Sequence, residues 1–236
     1  IDGAIALKTV ANCEQGLIGA YGTFNPEMDV RFNGVFSDEL KPGDFYAATS
    51  THEWQYTSND IGIRDNYTAT TNYYYVVDKL NRVLRALPDA EATKPSDEDL
   101  RKKVRGEALF LRAYCHFALW NYYSGNYDPA GLAMPYMETP GLESFPRIEM
   151  VPYFEKLEAD IAEAKTLLPN SLSDIYRASY MSAVGLHARV SLAKREWANA
   201  ITHSTEYINA IPLATGDDFR GIWTDANNRE LALKIR

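Results

Sequence analysis

The stretch RGEALFLRAYCHFALWNYYSGNY, residues 105–127, decides the fold because its apolar residues recur at helical spacing on more than one face. With Val104 included, they form two rows, one of Val104, Ala108, Leu111, Cys115 and Leu119 and the other of Leu109, Ala113, Phe117 and Trp120. Only a narrow stripe through Arg101, Arg105, Arg112 and His116 is left for water. A helix with so little polar surface is packed on most sides by other helices, so we expect it at the centre of the fold.

Composition and charge limit what such a protein can do. The polar interruptions of the central stretch leave it short of the roughly 18 unbroken apolar residues that a bilayer span requires. The chain has 236 residues, of which 46% are hydrophobic and 24% charged, as expected of a globular protein. Its net charge of -8 repels phosphate backbones, so a nucleic acid partner is not expected. Cys13 and Cys115 have no metal-type spacing and are predicted to be buried thiols.

Helical patterns recur along the chain, whereas strand signals are sparse. The predicted helices lie around Ile5 to Phe24 and at Asn72–Leu87, Asp97–Ser124, Pro152–Leu168, Ser179–Lys194 and Trp197–Ile208. In the first, Gly16, Gly19 and Gly22 permit close approach to a neighbouring helix. At the start of the central helix, Ser96 and Asp99 have the spacing of a capping box. The chain is therefore predicted to be mainly α.

The last pair of helices has the signature of a helical repeat. In MSAVGLHARVSLAKREWANAITHSTEYINAIPL, residues 181–213, Ala188 would allow two helices to approach and Trp197 would fill the turn between them. Ala200 would fit the second contact, and Pro212 would end the unit. This spacing is that of a tetratricopeptide repeat, although the pattern is degenerate elsewhere. We therefore expect a superhelical scaffold of tetratricopeptide-like units.

Two long irregular segments, residues 25–71 and 126–147, do not fit this helical scheme. Loops of that length are usually functional or disordered, and the aromatic content of the first makes disorder the poorer choice. Its stretch THEWQYTSND offers Trp54 and Tyr56 for stacking against sugar rings, beside Gln55, Asn59 and Asp60 for hydrogen bonds to hydroxyls. The alternative is that these aromatic side chains only pin the loop to the helices.

Catalysis has weaker support in the sequence. Asp38 with Glu39, and the acidic run Asp97 to Asp99, are the available carboxylate clusters, and the second is explained as a helix start. Nucleophile, phosphate-loop and metal-ligand motifs are all lacking, so we expect no catalytic residue, metal or cofactor.

Several stretches, in order, resemble the SusD-like (RagB/SusD) family of glycan-binding outer-membrane lipoproteins of Bacteroidetes. The central one is VRGEALFLRAYCHFALWNYYSGNY; the others are GLIGAYGTF, YYYVVDKLNRVL, PYFEKLEADIAEAKTLLP, SYMSAVGLHARVSLAKREWANAI and IWTDANNREL. The resemblance implies a tetratricopeptide-like scaffold whose loops form an aromatic platform for oligosaccharides. Residues 1–236 would be its N-terminal helical domain, without the lipidated N-terminal segment and the C-terminal half of the family.

The resemblance also implies a function and a place in the cell. We expect non-catalytic binding of an oligosaccharide or polysaccharide at the cell surface, and its delivery to a TonB-dependent (SusC-like) transporter of the outer membrane. Membrane attachment would be only through the lipid anchor. The alternative is a repeat scaffold that binds another protein and no glycan. Glu107 and Arg112 belong to the family motif, and we expect them, with Arg189, to be structural, because charges in a buried helix must be paired.

Overall fold

The computed structural model describes residues 6–25, 33–34, 37, 39, 69–141 and 143–235. The helices within these ranges are α1 (Val10–Tyr21), α2 (Ala69–Ala86), α3 (Asp97–Tyr123), α4 (Met150–Leu167), α5 (Tyr180–Ala193), α6 (Trp197–Ala210) and α7 (Asp217–Trp223). One 3₁₀ turn (Leu87–Asp89) follows α2. Two short strands, β1 (Leu132–Ala133) and β2 (Ile148–Glu149), pair antiparallel with Leu132 opposite Glu149. The mainly α prediction is confirmed.

Helix α3 is the centre of the fold, as predicted. Every residue of its two apolar rows is buried, and it packs against α1, α2, α4 and α5. The expected water-facing stripe is wrong at two positions, because Arg112 and His116 are buried and only Arg101 and Arg105 are partly exposed. The burial of Arg112 and His116 requires polar partners, which other helices and the backbone of Met137 supply.

Glycine allows close helix packing at fewer positions than predicted. Helix α1 begins at Val10, after the N-cap Thr9. A Cβ at Gly16 would lie 2.9 Å from Leu7 Cδ2 and 3.1 Å from Val83 of α2, whereas one at Gly19 would meet nothing within 4 Å. Helix α3 packs closely against α4 at Gly106, where a Cβ would lie 2.9 Å from Leu167 Cβ. Small residues therefore set the spacing of α3 and α4 as well.

The start of α3 differs from the predicted capping box. Ser96 has helical dihedral angles and its side chain makes no cap hydrogen bond. Instead, the Asp97 carboxylate accepts hydrogen bonds from the backbone N–H groups of Thr93 (2.7 Å) and Lys94 (2.9 Å). These bonds lower the pKa of Asp97, because they favour its charged form. The acidic run is a helix start, as expected, but it stabilises the preceding turn.

The α5–α6 hairpin corresponds to the predicted repeat, with some residues in different roles. Ala200 is buried as expected, but Trp197 is 58% exposed and does not fill the turn. The two helices approach closely at Gly185, where a Cβ would lie 3.0 Å from the Tyr207 ring, and Ala188 is partly exposed. Helix α5 begins with a capping box of Ser179 and Ser182.

Arg189 is also placed differently from the expectation. Its side chain is exposed, and its guanidinium lies 5.4 Å from the centre of the Phe117 ring. It therefore covers the surface of α3 through a cation–π contact and is not one of the buried paired charges. Cys13 and Cys115 are both buried, as predicted.

Candidate functional site

Both long irregular segments begin and end at the same end of the helix bundle, which we call the loop end. Antiparallel packing places the last turns of α1 and α3 beside the first turns of α2 and α4. This is seen in ring contacts of Phe24 with Tyr114 (6.0 Å), Tyr74 with His116 (6.1 Å) and His116 with Tyr153 (5.8 Å). The segment 26–68 leaves α1 and enters α2 here, and the segment 124–149 leaves α3 and enters α4 here.

Hydrogen bonds fasten the two ends of the segment 26–68 together. With its amide oriented to satisfy both neighbours, Asn72 donates to the Thr23 carbonyl and accepts from the Asn25 N–H, each at 3.1 Å. Lys79 Nζ donates to Thr23 Oγ1 at 2.6 Å. Segment 26–68 therefore starts and finishes on a fixed base formed by α1 and α2.

The residues predicted to bind glycan, Trp54, Gln55, Tyr56, Asn59 and Asp60, lie outside the described residues, as does Asp38 of the first carboxylate cluster. Their assignment remains a prediction. The described neighbours of that segment, Asn25 and the first turns of α2, place its attachment at the loop end.

A groove at the loop end was not predicted; we call it the Tyr75 groove. It has a volume of about 600 Å³ and is lined by Tyr74, Tyr75, Val77, Asp78 and Asn81 of α2 and by Met134, Pro135, Met137, Thr139, Gly141, Glu143, Ser144, Phe145 and Arg147. Such a volume is within the range of about 300–1,000 Å³ typical of small-molecule sites. Tyr75 and Phe145 are its exposed rings, at 56% and 47%.

The signal that could have located this groove is the run of three tyrosines at the start of α2. Successive helical residues point about 100° apart, so three adjacent rings cannot share one environment. Tyr73 is buried in the core and Tyr74 is partly buried, with its hydroxyl donating to the Pro135 carbonyl at 2.9 Å. Burial raises the pKa of Tyr74, so its hydroxyl stays a donor at neutral pH. Tyr75 is left exposed to solvent.

Side chains of α2 and α3 hold the outer wall of the groove in place. Asn81 Nδ2 donates to the Met137 carbonyl at 2.9 Å, and the Gly141 N–H donates to Asp78 Oδ1 at 3.1 Å. The Met137 N–H donates to His116 Nε2 at 3.2 Å. An irregular segment whose backbone is fixed at several points keeps its shape without a ligand, so the groove is preformed.

A buried ion pair lies beneath this wall. Arg112 donates to Asp160 of α4 through Nε and Nη2, each at 2.7 Å, and to Asn81 Oδ1 at 2.9 Å. The Tyr136 hydroxyl donates to Asp160 Oδ2 at 2.7 Å. Burial acts to lower the pKa of Arg112, but its bonds to Asp160 raise the pKa overall. The cluster connects α2, α3, α4 and the 134–147 segment, as expected of a structural Arg112.

His116 is buried beside this cluster and is neutral. Its ring stacks on Tyr136 with 3.9 Å between ring centres, and Tyr153 donates to its carbonyl at 2.6 Å. Burial lowers the pKa of His116 to about 3, with the Arg112 charge adding to the effect. A neutral imidazole with its Nε2 occupied by the Met137 N–H stabilises the fold and has no freedom for acid–base chemistry.

Glu107 is the second structural charge predicted from the motif, and it too is paired. Its Oε2 accepts from Arg177 Nε at 2.6 Å and from the Tyr21 hydroxyl at 2.8 Å. Arg177 also donates to Glu14 at 3.2 Å. Burial raises the pKa of Glu107 despite the opposing effect of Arg177. This cluster ties α1 and α3 to the turn before α5.

Two further findings concern metal sites and membrane-spanning helices. Within residues 6–25, 33–34, 37, 39, 69–141 and 143–235, no three His, Cys, Asp or Glu side chains are arranged to hold a metal ion. Across the same ranges, every helix is too short or too polar to cross a bilayer.

A protein-family model, SusD-like, described as starch-binding and associating with the outer membrane, matches residues 6–192. No curated protein matches the chain. A SusD-like protein from Bacteroides fragilis NCTC 9343 is 19% identical over 99% of this chain and 45% of its own, with a TM-score of 0.75.

Two structures from Bacteroides vulgatus ATCC 8482 are similar to the same extent. A SusD superfamily protein is 17% identical over 92% of this chain and 51% of its own, with a TM-score of 0.73. A SusD-like carbohydrate binding protein is 20% identical over 90% of this chain and 48% of its own, with a TM-score of 0.70. The chain thus spans about half the length of these structures and shares their fold. Because the family model matches most of its residues, the chain belongs to the SusD-like family.

Proposed function

We propose that this chain binds an oligosaccharide or polysaccharide at its loop end and carries out no reaction on it. Trp54 and Tyr56 would stack on the apolar faces of sugar rings, while Gln55, Asn59 and Asp60 would bond their hydroxyls. The family's description as starch-binding supports this chemistry.

The observation that carries the proposal is the convergence of both long segments on one end of a rigid bundle. The aromatic-rich segment 26–68 and the segment 124–149 are each attached there at both ends. Binding residues concentrate on loops that a rigid scaffold positions, and here the buried Arg112–Asp160 pair lies directly below. A long saccharide could therefore contact both segments at once.

Affinity gel electrophoresis tests the proposal directly. The chain is run through gels containing soluble starch, xylan, inulin or polygalacturonate, and at least one is expected to retard it. Trp54→Ala should weaken the retardation about three- to tenfold, because an aromatic contact contributes about 0.5–1.5 kcal/mol. The matched control is Trp223→Ala, which removes an indole that is 79% exposed on α7. Unchanged mobility of the wild-type chain in every gel would contradict the proposal.

We infer a finer role from the same family. The protein would sit on the outer membrane at the cell surface, held by a lipid anchor, and pass its glycan to a TonB-dependent (SusC-like) transporter. The family's association with the outer membrane supports the location. Co-purification of the full-length protein with a β-barrel transporter from native membranes would test the partnership. Its recovery as a species separate from any transporter would count against delivery.

A protein-binding scaffold without glycan affinity is the alternative, and one observation favours it. Trp197, Ile201 and Ile208 form an exposed apolar row along α6. Exposed apolar patches of this kind mark interaction surfaces in many proteins. If Ile201→Asp abolished binding to a partner protein while every glycan failed to bind, the scaffold function would replace glycan capture.

A further inference from the structure

The Tyr75 groove offers aromatic faces and polar groups in one preformed site at the loop end. We propose that it binds a neutral hexose unit of the glycan, as a subsite separate from the Trp54 stretch. This inference rests on the proposed function, since it assumes that the chain binds a saccharide, but it concerns different residues.

Two aromatic rings of the groove are exposed. Tyr75 on α2 and Phe145 on the 134–147 segment both line the groove. Lys79 Nζ lies 4.7 Å from the centre of the Tyr75 ring, so one face of that ring is occupied by a cation and the other is left for a ligand. Sugar rings present C–H faces that pack on such aromatic faces.

Polar side chains also line the groove. Thr139, Glu143, Ser144 and Arg147 are exposed around the groove and supply hydroxyl, carboxylate and guanidinium groups. Vicinal sugar hydroxyls require both hydrogen-bond donors and hydrogen-bond acceptors. Arg82 lies 2.8 Å from Asp78 and balances its charge. Glu143 and Arg147 contribute one charge of each sign to the lining, so the groove has no excess of positive charge for an acidic sugar.

Hydrogen bonds hold the walls of the groove in place. Tyr74, Asp78 and Asn81 are bonded to the backbone of residues 135–141, and Arg147 Nη2 donates to the Tyr123 carbonyl at 2.9 Å. A ligand entering the groove therefore finds its contacts already in place and loses little affinity to ordering. The exposed rings Tyr75 and Phe145 hold none of these bonds, so they can be replaced without disturbing the walls.

The experiment uses titration calorimetry with oligosaccharides released from whichever neutral polysaccharide retards the wild-type chain, and oligogalacturonate as the acidic comparison. Tyr75→Ala and Phe145→Ala are each expected to weaken binding about three- to tenfold. Tyr75→Phe keeps the ring face and should bind within about twofold of wild type. Phe219→Ala, which removes an exposed ring of α7, is the matched control and should leave affinity unchanged.

The outcomes separate this inference from the proposed function. If Trp54→Ala weakens binding while Tyr75→Ala and Phe145→Ala match wild type, the groove is not a subsite and the proposed function stands. If Tyr75→Ala weakens binding and Trp54→Ala does not, the groove is supported and the Trp54 platform fails. Preferential binding of oligogalacturonate would overturn the neutral class, and no binding of any saccharide would overturn both proposals.

Discussion

Replacing Asp160 by asparagine should destabilise the whole chain, because it leaves the buried charge of Arg112 without a counterion. The carboxylate accepts two hydrogen bonds from Arg112 and one from Tyr136, each at 2.7 Å. Arg112 and Asp160 are both buried, so water cannot replace the lost charge. Asparagine has nearly the same volume, and its single amide oxygen can accept only part of these bonds.

The magnitude follows from the geometry. Breaking a buried ion pair by removing one partner costs about 3–5 kcal/mol, since an uncompensated charge remains. The bond from Arg112 Nη1 to Asn81 is retained and the new amide can still accept, so Asp160→Asn should fall near the lower limit, about 3 kcal/mol. That is a large part of the 5–15 kcal/mol stability that is typical of a folded domain.

Urea unfolding followed by circular dichroism measures the change. Glu138→Gln is the matched control, because it makes the same chemical change in an ion pair with Lys156 whose side chains are both well exposed. It should cost less than about 1 kcal/mol. The double variant Arg112→Met with Asp160→Leu leaves no buried charge and should recover much of the loss. A cost for Asp160→Asn no greater than that of Glu138→Gln would refute this account of the cluster.

Three further changes test other parts of the account. Gly106→Ala should destabilise the protein by about 1–3 kcal/mol, because the new methyl group would clash with Leu167. Gly19→Ala in α1 has open space around it and should stabilise the protein by about 0.5–1 kcal/mol. Equal effects of the two changes on urea unfolding would contradict the glycine assignments. The pKa of His116 is about 3 in the fold and about 6.5 unfolded, so its contribution is complete above pH 6.5 and is lost as pH falls towards 3. His116→Gln should therefore show a shallower loss of stability than wild type between pH 6.5 and 4, and parallel curves would argue against a neutral buried His116. Trp120→Ala should cost about 3–5 kcal/mol and the exposed Trp197→Ala less than about 1, and similar losses for both would mean that Trp197 does fill the turn.

The sequence predicted helices α1 to α6, but not α7, and it predicted the core of α3, because both follow from local periodicity. Hydrophobic rows at helical spacing require burial wherever the helix is placed, so the two rows of α3 were predictable without knowing its neighbours. The partners of its charged residues Arg112 and Glu107 were not predictable from periodicity. Arg112 pairs with a residue 48 positions away and Glu107 with one 70 away, distances that only the tertiary fold brings together. For that reason, the prediction that Arg112 and His116 face water was wrong.

The candidate site was less predictable because it depends on which face each aromatic residue presents. Trp197 looks like a core residue by type, yet its position at the first turn of α6 leaves it on the surface. The three tyrosines at the start of α2 have the same side chain and three different environments. The Tyr75 groove needed residues 134–147 to be placed against α2, and nothing in the periodicity of either segment indicates that contact. Trp54 and its neighbours remain a prediction from composition and resemblance.

The tryptophan indole N–H signals test the central claim most directly. The chain has four tryptophans, at positions 54, 120, 197 and 223, and single Trp→Phe variants assign their NMR signals. On titration with the polysaccharide that retards the chain, the Trp54 signal should shift and saturate, while those of Trp197 and Trp223, far along the chain on α6 and α7, should stay in place. Shifts confined to Trp197 or Trp223, with Trp54 unchanged, would contradict glycan binding at the loop end.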